Sequence, residues 1–297
     1  MSHALPLRHL LLALVVVAVW GSNFVVIKVA LDELPPLLLA TLRFGLAAFP
    51  ALLWLRRPAV SWAHLAAYGV AIGAGQFGLL YLAMQGDISP GLASLVVQVQ
   101  VFFTIGLSMA LTGERVRPYQ WLALLLAVAG IALIAAHAGG ATTQRGLAMV
   151  LLAAFFWACG NTLSRSAGRV DMLAYMVWSS LFAVPPLLAL SLVFEGWPAI
   201  TAGLRGAGAG AWAAVLWQSV GNTLFGYAAW AWLLARHPAA TITPTALLVP
   251  VFGIGTSALL LREPLPAWKL QAAALVMAGL ALSVLWPRWQ ARTFARD

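Results

Sequence analysis

Three pairs of polar or aromatic side chains recur at helical spacing inside stretches that are otherwise apolar. Trp20 and Asn23 are three residues apart, Trp157 and Asn161 four, and Gln218 and Asn222 four, so each pair shares one face of a helix. Gln76, Gln98 and Gln100 add further amides. A carboxamide carries donors and an acceptor without charge, which suits it to hold the carboxylate and the ammonium of a zwitterion together. A single amide in an apolar helix commonly bonds a neighbouring helix, worth about 1 kcal/mol or less. Amides at matched places in several helices imply a wet cavity instead. Gln98 and Gln100 stand about 200° apart around an α-helix, so both are not expected to face it. Tyr81, Tyr227 and Trp230 are aromatic candidates for its wall. Thr245, beside Pro244, is a candidate for contact with a ligand or with carbonyls that the proline frees.

Two cations fall inside apolar stretches. Lys28 lies within a turn of the end of the first one, where it can snorkel to water or pair with Asp32 at i+4. Arg43 lies seven residues into the second, about 10 Å deep by helical rise, and is harder to relieve that way. It is expected to meet carbonyls, a partner side chain or a ligand carboxylate. Cations at such depth are functional candidates by default.

What is missing narrows the chemistry. The eight acidic residues and five histidines lie at segment ends, in connections or at the terminus, so no buried proton relay is expected. Neither lysine completes a phosphate-cradling P-loop, and no His-Glu-x-x-His zinc motif occurs. Gly255-Thr256-Ser257-Ala258-Leu259 lacks the second glycine of a nucleophile elbow. An enzyme is disfavoured, and neither metal nor cofactor is expected. The one cysteine, Cys159, excludes an intrachain disulfide.

The elements that must position these side chains are membrane helices. The 297 residues are 63% hydrophobic and 8% charged with a mean hydropathy of +0.93, far from the roughly 25% charged of soluble domains. Ten apolar segments follow one another, near 10–31, 36–55, 62–84, 90–112, 119–137, 146–165, 172–194, 210–234, 239–261 and 268–286. Each approaches the 20 or so residues that cross a bilayer's hydrocarbon, and in hydrocarbon only helices satisfy their own backbone. The first begins like a signal peptide but continues without a small-x-small cleavage site, which reads as a retained span. The longest gap, Glu195 to Gly208, reads as a loop.

The net charge of +9 invites a nucleic-acid reading, but its placement argues otherwise. Eleven Lys/Arg residues fall on the side of the termini and four on the other, which places both termini in the cytoplasm by the positive-inside rule. The partners expected are the lipid bilayer and a small zwitterionic solute. The chain is expected as a monomer or at most a homodimer.

The chain also echoes itself. Trp20 and Trp157 are 137 residues apart, as are Lys28 and Arg165. Ala129-Gly130-Ile131-Ala132-Leu133 returns as Ala278-Gly279-Leu280-Ala281-Leu282, 149 residues on, and Gly113-Glu114-Arg115 is echoed by Arg262-Glu263-Pro264. Two five-helix halves, 1–140 and 141–297, must have opposite orientations because five is odd. Inverted repeats mark secondary transporters that bind substrate near the midplane. The fold expected is therefore an all-α integral membrane protein of ten helices in two inverted repeats.

Trp20-Gly21-x-Asn23 and Gly113-Glu114-Arg115, with Leu42-Arg43-Phe44, Gly91 to Val96, Phe102 to Ile105, Trp157 to Asn161 and Leu247 to Val251, resemble the EamA-type carriers of the drug/metabolite transporter superfamily. They are most similar to its bacterial exporters of O-acetylserine and cysteine. The resemblance spans nearly the whole chain, though the connection Gln85 to Ser89 departs from it. It implies a central cavity between the halves and export of small amino acids across the inner membrane. Other metabolites or drugs carried by the same fold are the alternative.

Overall fold

The computed structural model describes residues 6–112, 117–139 and 142–293. The Gly113-Glu114-Arg115 motif lies outside the described residues. All described elements are helices. They are α1 (Leu7–Leu31), α2 (Pro36–Leu53), α3 (Trp62–Met84), α4 (Pro90–Leu111), α5 (Pro118–Ala136), α6 (Gln144–Ser166) and α7 (Met172–Phe194). Then come α8 (Gly196–Gly206), α9 (209–236), α10 (Thr243–Leu260) and α11 (Ala267–Thr293).

Among the described residues nine helices are long and apolar enough to cross a membrane. The remaining expected segment forms the continuous helix α9, whose apolar run is diluted by Gln218, Ser219, Asn222 and Thr223. Large apolar side chains such as Leu122, Leu125 and Val128 on α5 point outward, as a surface facing lipid requires.

The stretch after α7 departs from expectation. It is a helix, α8, not a loop. Gly196 turns the chain at φ +81°, a conformation that glycine adopts at no steric cost, and Pro198 then falls in the first turn. Gly203 rests against Pro35, which lays α8 over the α1–α2 connection.

Packing follows the small residues. In lipid, helices associate by close van der Waals contact, which small side chains permit. The Gly69-x-x-x-Gly73 seam of α3 lies against α7: a Cβ at Gly69 would overlap the Ser179 carbonyl, and one at Gly73 would overlap Ala183. Gly21 brings α1 against Val249, Phe252 and Gly253 of α10.

The last helix of each sequence half meets the other reciprocally. Gly130 of α5 packs on Ala272 and Val276 of α11, while Gly279 of α11 packs on Ala123 and Ala127 of α5. All three pairs of corresponding positions (123 and 272, 127 and 276, 130 and 279) are 149 residues apart, as in the echoed sequence. The contacts run in opposite directions along the two helices, so α5 and α11 are antiparallel.

Two helices are locally unwound, and both carry candidate amides. Ala71–Gly78 of α3 and Trp217–Phe225 of α9 are π-helical; the first contains Gln76, the second Gln218 and Asn222. Such wide turns recur at functional sites. The prolines of α10 shape its start: Thr243–Leu248, with Pro244, is 3₁₀-helical, and the regular helix starts at Val249 with Pro250 in its first turn.

Candidate functional site

Most of the candidate amides fall into two groups. The first lines a cavity of about 330 Å³ between α4, α6, α10 and α11. Gln98, Gln100, Thr104, Asn161 and Thr243 supply its polar wall, and Arg165 stands at its rim. Val101, Ile105, Leu247, Leu280 and Val284 make the apolar remainder. Asn161 Nδ2 donates to Gln100 Oε1 at 2.7 Å and to Thr104 Oγ1 at 3.2 Å, and Thr104 Oγ1 donates to Gln100 Oε1 at 3.2 Å. These three side chains form a closed triangle joining α4 to α6.

Gln98 and Gln100 both face this cavity, contrary to expectation. Val97–Val99 is a 3₁₀ turn, and at three residues per turn side chains two apart stand about 120° from each other instead of about 160°. The tighter turn swings both amides onto one wall.

The second group lies between α1, α2, α3 and α9. Arg43 is 1% exposed. Its Nη1 donates to Tyr81 Oη at 2.8 Å and its Nη2 to Thr223 Oγ1 at 3.4 Å. Tyr81 in turn donates to Gln218 Oε1. The guanidinium lies 3.7 Å from the centroid of the Phe77 ring, within reach of a cation–π attraction. Ser219 Oγ donates to the Arg43 carbonyl at 3.0 Å. Nearby, Trp20 Nε1 donates to the Asn222 carbonyl at 3.1 Å, and its ring lies 5.8 Å from Tyr227 and 5.1 Å from Trp230. Gly226 makes room for that indole, since a Cβ there would overlap Trp20 Nε1.

The remaining candidates are dispersed. Asn23 is 3% exposed, and its Oδ1 has no hydrogen-bond partner. Gln76 is buried in the π-helical part of α3, away from the cavity wall. Trp157 packs against the main apolar core. Thr245 donates to the Ile242 carbonyl at 2.7 Å, and its neighbour Thr243 faces the cavity instead. Lys28 pairs with Asp32 at 2.5 Å at the partly exposed end of α1.

One polar cluster was not foreseen. Glu263, in the α10–α11 connection, accepts from Ser89 Oγ at 2.5 Å, from the Gly91 backbone N–H at 3.0 Å and from Lys269 Nζ at 2.9 Å. Glu195 similarly accepts from the Leu37 and Leu38 backbone N–H groups at 2.6 and 3.1 Å. Glu33 accepts from Gly208 N–H. Each carboxylate bridges from one sequence half to the other at the helix ends opposite Arg165. Anions at helix starts are favoured by the exposed N–H groups and the helix dipole.

Helices long enough to cross a membrane, packed around a polar cavity with a cation at its rim, describe a membrane carrier. The chain belongs to the EamA-like transporter family, whose pattern matches residues 7–136 and again 144–285. It is a transporter and not an enzyme. It is 41% identical over 279 residues to the "Probable amino-acid metabolite efflux pump" of Salmonella typhimurium, covering 92% of this chain and 93% of that one. It is 38% identical over 285 residues to the protein of the same name from Escherichia coli, covering 94% and 95%. A solved crystal structure 20% identical in sequence shares the fold with a TM-score of 0.63, covering 94% of this chain and 96% of that one.

Proposed function

We propose that this protein exports small amino acids and their derivatives, cysteine and O-acetylserine among them, across a bacterial inner membrane by alternating access. The reading takes α9 as a tenth span and the halves 1–140 and 141–297 as inverted repeats with both termini cytoplasmic. The reciprocal packing of Gly130 and Gly279 supports that symmetry, and the names of the Salmonella and Escherichia relatives support the substrate class.

The observation that carries the proposal is the cavity itself. Its volume of about 330 Å³ lies at the lower end of ligand sites, which suits a small solute. Its amides and hydroxyls offer donors and acceptors to a zwitterion, and Arg165 at the rim attracts a carboxylate. With Arg165 on the cytoplasmic side, this is a state open toward the cytoplasm, and the Glu33, Glu195 and Glu263 bridges close the far side. Rocking one half against the other would break those bridges and expose the site outward.

Proteoliposomes loaded with cysteine or O-acetylserine test the reading. Wild-type protein is expected to release either solute, with and without an imposed proton gradient compared to reveal coupling. Asn161→Ala is expected to slow release at least severalfold without changing the folded yield. A well-folded protein that moves no amino acid would sink the proposal.

A further inference from the structure

Arg43 has no described carboxylate paired with it, although it is among the largest fully buried side chains. Its two described hydrogen-bond acceptors, Tyr81 and Thr223, are both neutral hydroxyls. Its Nε has no partner, and neither has Nε2 of Gln218, the residue that receives the Tyr81 hydroxyl. A cation at membrane depth is normally held by an opposite charge or by carbonyls, and buried donors without acceptors call for an explanation. Here two such donors belong to the two residues that flank Tyr81 in one network.

The network is divided between the halves. Arg43 on α2 and Tyr81 on α3 belong to the first, and Gln218 and Thr223 on α9 to the second. Movement of the halves against each other would part the Tyr81–Gln218 and Arg43–Thr223 bonds and leave the guanidinium and the amide facing the gap.

We propose that Arg43, assisted by Gln218, is a second carboxylate-binding station on the export path, distinct from the Gln100–Asn161 cavity and reached when the halves separate at the Tyr81–Gln218 bridge. The inference rests on the export reading. A planar guanidinium takes a carboxylate in paired hydrogen bonds, and the Phe77 face beneath it fixes the plane of the fork. The ligand class is a small organic carboxylate, the amino-acid α-carboxylate in particular. Arg165 would meet that group at one mouth, and Arg43 would receive it nearer the other.

The test compares wild type with Arg43→Gln and Arg43→Lys as purified protein in detergent. Acetate is expected to raise the melting temperature of wild type, acetamide is not, and Arg43→Gln is expected to abolish the acetate shift. Arg43→Lys, which keeps the charge but not the fork, is expected to retain part of it. In parallel, Arg43→Gln is expected to weaken cysteine binding about tenfold or more while leaving cysteine methyl ester unchanged, the size of a lost charged hydrogen bond. Should Arg43→Gln not fold, Gln218→Met carries the same comparison, with a reduced acetate shift expected. An acetate shift equal in wild type and variant, or parallel loss of acid and ester, overturns the proposal. An Arg43-dependent acetate shift in a protein that exports no amino acid would overturn the export reading and leave the carboxylate station standing.

Discussion

Lys269 and Glu263 form an ion pair at 2.9 Å with side chains only 6% and 7% exposed. The pair does more than join α11 to the connection before it. Through Ser89 and Gly91, Glu263 also holds the first turn of α4. A buried charge pair gains little over an apolar replacement, but removing one partner strands the other in a poor solvent.

Glu263→Ala is therefore expected to destabilise the protein by about 3–5 kcal/mol, read as a fall in melting temperature in detergent. Glu263→Gln combined with Lys269→Met removes both charges while keeping an acceptor for Gly91, and is expected to recover most of the loss. A double variant as unstable as Glu263→Ala would show that the charges are not the cause.

Lys28→Ala is expected to leave both stability and export close to wild type. The side chains of the Lys28–Asp32 pair are 33% and 58% exposed, and surface pairs at this spacing contribute about 0.3–0.5 kcal/mol. Export slowed tenfold by this substitution, measured as release from proteoliposomes, would show that Lys28 acts on the path.

Gly69→Val is expected to be far more damaging than its distance from either polar group suggests. The added atoms would press on the Ser179 carbonyl and the Phe182 side chain of α7, and forcing backbone apart typically costs 1–3 kcal/mol or more. Gly86→Val, in the α3–α4 connection with open space around it, is the matched control. Comparable melting temperatures for the two would refute the seam.

Much of this architecture was legible in the sequence because lipid leaves few options. Uninterrupted apolar runs must be helices, so their positions could be read directly. The 149-residue echo of Ala129 to Leu133 was also visible, and the glycine of each echoed segment proves to pack against the other's helix, one to two turns before its echo. The grouping of the amides was not legible, because it depends on local helical pitch. The π-helical turns holding Gln76, Gln218 and Asn222, and the 3₁₀ turn before Gln100, rotate side chains by amounts that regular helical spacing cannot anticipate. Glu263 looked like an ordinary loop acid, since its burial comes from Ser89, Gly91 and Lys269 converging from other parts of the fold.

The Gln100–Asn161–Thr104 triangle offers the sharpest test of the cavity, because its members act through shared bonds. Gln100→Ala removes the acceptor of both Asn161 and Thr104, and Asn161→Ala removes the donor that faces them. If the triangle holds substrate as one unit, each single change should raise the KM for export about tenfold, and the double variant should be little worse than either. Residues in one hydrogen-bonded network show interaction energies of about 0.5–3 kcal/mol, which is large enough to measure in a double-mutant cycle. Additive effects would mean that the two amides touch substrate independently, and unchanged KM in all three variants would mean that the cavity lies off the path.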